Sequence, residues 1–309
     1  MTIPKFIMLM GLPASGKSTI AQKIAEEHNA IIFSSDALRE EMFGDINHQD
    51  NNQELFIKLH RRIKDCLRNG KSVIYDACNV SYKRRMAFLS ELKNIPCKKI
   101  CILMATPYEE CLRRNSERER NVPEYVIKRM YMSFNIPYWY EGWDHIEIEY
   151  AEGSRNSYGL VNQWLDTVMN YNQENSHHRL SLGEHMRSAV DYMQNNLAPT
   201  NNKHDLTLRG ATMLHDCGKP FCRTFTNNHG ETTSEAHYYS HQYCGAYNSL
   251  FFSYLNEFVD KLDIAIRIMW HMQPYFNKEE KTENKYRKLW GEELYNDIIK
   301  LHESDLAAH

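Results

Sequence analysis

The chain has 309 residues, of which 42% are hydrophobic and 25% charged, with a formal net charge of −3. That length suits two domains of ordinary size, each with its own core, and the charge total does not advertise nucleic-acid binding, although phosphate recognition needs only a local cluster of cations. No apolar run approaches the roughly 18 residues of a membrane span, so no membrane partner is expected. The N-terminus runs from an apolar stretch straight into a Gly-rich loop and is not a signal peptide. Eight cysteines are scattered without a CxxC pair, which disfavours a structural zinc or a disulfide framework and predicts reduced thiols in a cytoplasm.

Phe6–Met10 is a short apolar run that predicts a buried parallel strand. The loop Gly11–Ser18 (GLPASGKS) follows, and Thr19–His28 has helical spacing of Ile20, Ile24 and Ala25. Ala30–Phe33, Ser72–Tyr75, Lys99–Met104 and His145–Tyr150 read as further strands. Gln53–Asn69 (closed by Gly70), Tyr82–Asn94, Glu109–Arg118 and Pro123–Phe134 read as helices. Strands alternating with helices predict an α/β domain over residues 1–152, a parallel sheet flanked by helices. The polar stretch EGSRNS, a bridging helix over Tyr158–Asn170 and a polar linker over Asn172–Arg179 place a connection at 153–177. Beyond it only helical patterns follow, over Leu182–Asn196, Thr207–Cys217, His237–Tyr254, Asp260–His271 and Tyr286–His302. Residues 178–309 are therefore expected to be all-α, without a strand.

A loop of the form GxxxxGK[ST] between a strand and a helix wraps phosphates with backbone N–H groups, and the dipole of the following helix favours anions. Gly11, Pro13, Ala14, Ser15, Gly16, Lys17, Ser18 and Thr19 are the candidate ATP-binding residues. Lys17 is expected on the β- and γ-phosphates and Ser18 on Mg²⁺. Asp36, after the second strand, can take a proton from an attacking hydroxyl, and Arg39 lies one helical turn on. An N-cap is the plainer role for an aspartate there, and the phosphate loop nearby favours catalysis. Asp76 and Asn79 end the third strand, where turn chemistry is as good an account as function. Arg113, Arg114, Arg118 and Arg120 crowd one helix and the turn after it, for which a solvated face is the plainer account; a basic lid over ATP would also use such a cluster.

GLPASGKST, SSDALR, YDACNVSYKRR and LRRNSERERNVP, in that order, resemble the 5′-hydroxyl polynucleotide kinases of phage and bacterial RNA-repair systems. The resemblance covers roughly residues 5–150 and implies a P-loop kinase domain in a bacterial or phage-infected cell. It implies that Asp36 is the general base on the polynucleotide 5′-OH and that Arg39 contacts the acceptor's scissile-side phosphate. Arg114 and Arg118 would be lid residues on the ATP phosphates. The third motif carries one more residue between Asp76 and Asn79 than the family pattern, and the stretch before Val122-Pro123 is compressed. Whether Arg118 or Arg120 is the lid arginine stays open.

The second half holds histidines in a different pattern. His215-Asp216 ends an apolar helix, His185 lies in a helix upstream, and His237 and His241 are four apart, as on one helical face. His271 and Asp305 lie in later helices. Imidazole and carboxylate ligands suit Mn, Fe, Co, Ni or Zn. His177, His178, His229 and His309 have no such setting and read as solvated. The order His185, His215-Asp216, His241, His271, Asp305 resembles the HD superfamily of metal-dependent phosphohydrolases. LHDCGKP…HYYSHQYCGA is particularly similar to the HD domains attached to CCA-adding tRNA nucleotidyltransferases. This implies that His185, His215, Asp216 and Asp305 hold one divalent transition metal and that His241 and His271 complete a second. Lys219 would help neutralise a substrate phosphate, and His237 would either support a ligand or contact phosphate.

RNA broken by many nucleases carries a 5′-OH and a 2′,3′-cyclic phosphate. The fusion resembles bifunctional enzymes that heal both ends. The expectation is ATP-dependent phosphorylation of RNA 5′-OH ends, with DNA left open, and metal-dependent removal of 2′,3′-cyclic, 2′- or 3′-phosphates, upstream of an RNA ligase. The alternatives are a nucleoside or small-molecule kinase fused to a nucleotidase, and a nucleotide-sensing regulatory protein.

Overall fold

The computed structural model describes residues 3–48, 50–152, 166–175, 180–252, 260–276 and 279–308. The chain divides into two compact units. The first contains the residues up to Ile127 and those from Pro137 onward in the first half; Lys128–Ile136 belongs to the second.

In the first unit the order is β1 Lys5–Met10, α1 Lys17–His28, β2 Ile31–Ser34, α2 Ser35–Phe43, α3 Asn52–Arg68, β3 Val73–Asp76 and α4 Tyr82–Glu91. β4 Lys98–Ala105, α5 Tyr108–Ser116, α6 Glu124–Tyr131 (from Lys128 on, counted with the second unit), a 3-10 turn Trp139–Glu141 and β5 His145–Tyr150 follow. All strand pairings are parallel, in the order β2-β3-β1-β4-β5. Phe6–Met10 is fully buried because helices cover both faces of the central strand, which is why the sequence shows a run rather than an alternation. On one face Ile7, Leu9, Ile74, Ile102 and Met104 pack with Ala21 and Ile24 of α1. Strand order reverses direction from β1, so β1 and β3 end side by side at the crevice where such sheets bind ligands. Met8 pairs with Tyr75 and Leu9 with Asp76 there.

The second unit holds α7 Leu182–Tyr192, whose Ser181 and Glu184 form a reciprocal capping box, and a wider turn over Met193–Leu197. α8 Lys203–Leu214, the short α9 Lys219–Cys222, α10 His241–Ser249, α11 Lys261–Trp270, α12 Glu280–Trp290 and α13 Glu292–Ala307 follow. Between α9 and α10 lies an antiparallel hairpin, β6 Thr224–Thr226 and β7 Thr232–His237. The all-α expectation is therefore corrected. The Thr-rich sequence has the β-branched residues of a strand, and Gly230 takes the left-handed turn conformation at φ 82°. His237 ends β7 and is not on a helix; Ser240, at φ 71°, separates it from α10, so His237 and His241 do not share a helical face. The helix expected over Tyr286–His302 is two helices, broken at Gly291 (φ 82°). Gln173, read as linker, is buried against this unit. The bridging helix expected over Tyr158–Asn170 lies largely outside the described residues. None of the described helices is long and apolar enough to cross a membrane.

Candidate functional site

The loop after β1 has the shape its sequence predicts. Ala14 and Gly16 both take positive φ (63° and 99°), turning successive N–H groups inward ahead of α1. A Cβ at Gly11 would meet Ser15 Oγ at 2.5 Å and Met104 Cβ at 3.0 Å, so this position admits no side chain. Thr106 Oγ1 donates to the Ser15 carbonyl at 2.9 Å and ties the loop to the end of β4. Lys17 is buried, and its ammonium donates to the carbonyls of Leu12 (2.7 Å) and Gly11 (3.1 Å). Ser18 Oγ donates to Asp76 Oδ2 at 2.9 Å. A hydroxyl and a carboxylate side by side at the start of α1 are oxygen ligands of the kind Mg²⁺ takes. Arg114, held by Glu110 at 2.6 Å, brings Nη1 to 3.9 Å from where a Cβ at Gly16 would stand.

Asp36 sits in the first turn of α2, with Ser34 as its cap. So the N-cap is Ser34, and the Asp36 carboxylate is left to bind arginines. Its Oδ1 accepts from Arg39 Nη1 and its Oδ2 from Arg120 Nη1, each at 2.8 Å. Arg39 is 5% exposed; its Nη2 donates to Asn52 Oδ1 at 3.0 Å, and its buried Nε finds no acceptor among the described residues. Arg120 also donates to Asn47 Oδ1 (2.9 Å) and the Ile46 carbonyl (3.1 Å). Arg118 is exposed in the turn after α5, and it is Arg120 that the structure brings to Asp36.

In the second unit the predicted ligands converge. His185 Nε2 lies 3.1 Å from Asp305 Oδ1 and 3.4 Å from Asp216 Oδ2. His215 Nε2 lies 3.3 Å from His185 Nε2, 3.3 Å from Asp305 Oδ1 and 3.5 Å from Asp216 Oδ2. The other oxygen of Asp216, Oδ1, faces His241 Nε2 at 3.1 Å and His271 Nε2 at 3.7 Å, and those two nitrogens are 3.1 Å apart. Four ligand atoms about 2.1 Å from one ion stand about 3.0–3.4 Å from each other, so both clusters have the spacing of a coordination shell.

The imidazoles are also oriented for it. Nδ1 of His215, His241 and His271 each lies 2.7 Å from a backbone carbonyl, of Thr212, Tyr238 and Ile268. A carbonyl only accepts, so each Nδ1 carries a proton, and each ring, when neutral, presents an Nε2 lone pair. Lone pairs about 3 Å apart repel unless a cation lies between them. The carboxylates pull on the rings that face them: burial would lower His215, but Asp216 and Asp305 raise it. Burial alone would push His185 down, but the Asp216 and Asp305 carboxylates outweigh it and hold it up at about 9. Burial pushes His271 down to about 4, against the pull of Asp216. Burial would raise Asp216, yet Lys219 and His215 hold its carboxyl well below the usual range. The residues present therefore fit two cations sharing Asp216. A third group, His204, Glu293 and Asp297, fits poorly, because Arg267 already neutralises Asp297 at 2.6 Å.

Residues 6–137 match the AAA domain family model. The chain is 30% identical over 178 residues to the L-seryl-tRNA(Sec) kinase of Methanococcus maripaludis, covering 54% of this chain and 67% of that protein. The chain belongs to the AAA-domain family of P-loop kinases. It is similar to a chain of the Pnkp1/Rnl/Hen1 RNA repair complex, at 24% identity and a TM-score of 0.37, over 42% of this chain and 43% of that one. It is likewise similar to the Mycobacterium tuberculosis APS kinase CysC in complex with AMPPNP and APS, at 16% identity and a TM-score of 0.38, over 54% and 98%. A P-loop kinase takes ATP with Mg²⁺.

In this P-loop kinase the structure gathers Gly11 to Thr19, Asp76 and Arg114 at one strand end, and Asp36, Arg39 and Arg120 form a group of their own. Lys219 lies 2.6 Å from Asp216 Oδ2 and donates to Gln173 Oε1 at 2.8 Å, so it holds the shared carboxylate. His237 bonds Thr233 Oγ1 at 3.0 Å and stacks on Tyr239, with none of the candidate metal ligands among these partners. Two polar residues escaped sequence reading. Gln173 lay in a stretch of uniform polarity. Tyr275, whose hydroxyl donates to Asp305 Oδ2 at 2.7 Å, lay among aromatics with no charge pattern to mark it.

Proposed function

We propose that this kinase heals RNA ends, phosphorylating 5′-OH termini with ATP and removing 2′,3′-cyclic, 2′- or 3′-phosphates at a dinuclear centre of HD type. The kinase domain would be residues 1–152 and the phosphohydrolase domain 178–309, joined through 153–177. The observation that carries the pairing is the division of Asp216, one oxygen toward His185 and His215 and the other toward His241 and His271. A carboxylate shared in this way favours a two-cation phosphohydrolase centre in the same chain as a kinase.

At the kinase site Asp36 accepts the proton of the attacking hydroxyl, which bonds the γ-phosphorus as ADP leaves. Arg120 must first release Oδ2, and Arg39 stays to orient the carboxylate. Lys17 and Arg114 meet the charge that spreads onto the phosphate oxygens. At the second site, bound divalent cations supply an activated water and a clamp on the phosphate oxygens. His185, His215, Asp216 and Asp305 would hold one, and Asp216, His241 and His271 the other. Mn, Ni, Co, Fe and Zn all suit this donor set. Lys219 fixes Asp216 between them.

The test is incubation with γ-labelled ATP, Mg²⁺ and a short 5′-OH RNA ending in a 2′,3′-cyclic phosphate, with and without Mn²⁺ or Ni²⁺. Label on the 5′ end and loss of the terminal phosphate are expected. Asp36→Ala should abolish only the first and Asp216→Asn only the second. A wild-type protein that labels no RNA sinks the polynucleotide reading. A second reading is favoured by the 30% identity to the seryl-tRNA kinase: phosphate transfer to a hydroxyl on a group esterified to RNA. Label found on a seryl-tRNA but not on a 5′-OH oligonucleotide would select it.

A further inference from the structure

Opposite faces of the 77–79 loop lead to the phosphate loop and to a surface that the site described above does not use. Cys78 accepts from Gly11 N (3.1 Å), and Asn79 Nδ2 donates to the Leu9 carbonyl (2.8 Å), so this loop rests against the end of β1. Its other side meets α4 and the 3-10 turn Trp139–Glu141. Arg85 donates to the Asn79 carbonyl at 3.0 Å and grips Glu141 through two bonds of 2.6 and 2.8 Å. Trp143 Nε1 donates to the same carboxylate at 3.0 Å. These buried bonds fix α4 and the 3-10 turn as one rigid ledge.

The ledge is aromatic and cationic. Tyr82 meets the Tyr140 ring edge-on at 6.0 Å, and Tyr138 lies 5.6 Å from Tyr140. Trp139 beside them is 44% exposed. Lys83 and Arg84 are exposed in the first turn of α4, which contains no acidic residue, and neither forms an ion pair among the described residues. Cations there oppose the helix dipole, so the fold leaves this spot electropositive. The carboxylate nearby, Glu141, is buried and already neutralised by Arg85.

We infer that this ledge binds the single-stranded polynucleotide acceptor beyond its 5′ end, with Trp139 and the tyrosines stacking bases and Lys83 and Arg84 meeting backbone phosphates. Aromatic faces interleaved with unpaired cations are what a single strand requires, since every base has a π-face and every linkage a charge. Continuity with the phosphate loop through residues 77–79 favours the acceptor strand as occupant. The inference rests on the polynucleotide reading above and deepens it, by predicting that affinity grows with acceptor length.

The experiment compares phosphorylation of a nucleoside 3′-monophosphate with that of a 5′-OH RNA long enough to cross the ledge. Losing one stack of about 1–3 kcal/mol means that Trp139→Ala should lower kcat/KM for the long acceptor relative to the short one by ~5- to 150-fold. Lys83→Gln/Arg84→Gln should flatten the salt dependence of long-acceptor binding, by about 1.4 in the log–log slope for two phosphate contacts. An unchanged ratio and an unchanged slope overturn the inference. If wild-type protein labels neither acceptor, the kinase reading fails, and fluorescence anisotropy of a labelled single-stranded RNA decides the ledge separately. Weaker binding by both variants supports it, and equal binding by wild type and variants rejects it.

Discussion

Arg85 and Glu141 offer a quantitative test of what fixes the loop beside the phosphate site. Their side chains are 1% and 0% exposed and joined by two bonds. Arg85→Met leaves a buried carboxylate that keeps, among the described residues, the Trp143 N–H as a donor, and breaking such a pair from one side costs about 3–5 kcal/mol. The Asn79 carbonyl also loses its donor, adding about 1 kcal/mol. Arg85→Met/Glu141→Leu removes both charges; it leaves the Asn79 carbonyl and Trp143 N–H unpaired, at about 1–3 kcal/mol each, offset by about 1–4 kcal/mol from apolar filling. The double variant should therefore be more stable than the single one. In urea, with a slope of about 2 kcal/mol/M, the single variant should lose about 2 M in the midpoint of kinase inactivation, and the double variant should recover at least half of it. A single variant within 1 kcal/mol of wild type, or a double variant no better than the single, refutes the reasoning.

Four further outcomes are expected. His60 is packed between Phe88 and Tyr75, and burial depresses it to about 4 from 6.5. The unfolded chain binds this proton first, so stability is lost as pH falls from 6.5 to 4, by up to about 3 kcal/mol; His60→Phe should flatten that limb in pH-dependent melts. Mn²⁺ or Ni²⁺ at a hundred times its Kd should stabilise the second unit by about 2.7 kcal/mol, and Asp216→Asn should cancel the gain in calorimetry. Tyr275→Phe frees Asp305 Oδ2 and should weaken metal binding ~10- to 100-fold, with phosphohydrolase activity restored by added metal. At Gly218 a Cβ would stand 2.0 Å from the His241 carbonyl and 2.6 Å from Gly245 N, so Gly218→Ala should push α10 away and cost about 1–3 kcal/mol or more, read by thermal melting of the second unit.

Local rules made the first unit legible. The run Phe6–Met10, the glycines of the loop and the return of strand patterns at regular intervals each report a backbone requirement that one sequence window contains. The cluster of His185, His215, Asp216, His241, His271 and Asp305 was visible because candidate metal sites draw on few residue types. The hairpin was less visible: threonines and a His-Gly turn compete with helical spacing in His237–Tyr254, and only Ser240 at positive φ shows where the strand ends. The break at Gly291 was missed because the apolar period continues across it. The reach of Arg120 to Asp36 spans 84 positions, and no periodicity encodes a contact of that kind.

The carbonyls that receive Nδ1 of His215 and His271 belong to residues three positions earlier, in the last turns of α8 and α11. Carbonyls in a last helical turn have spare accepting capacity, and the Ile268 carbonyl takes the His271 backbone N–H at 3.4 Å as well as the ring. The imidazole thus seals a helix end with one nitrogen and faces the centre with the other. No auxiliary side chain has to be supplied to set these tautomers. A designer wishing to transplant such a centre could begin with two converging helix ends and a histidine on each.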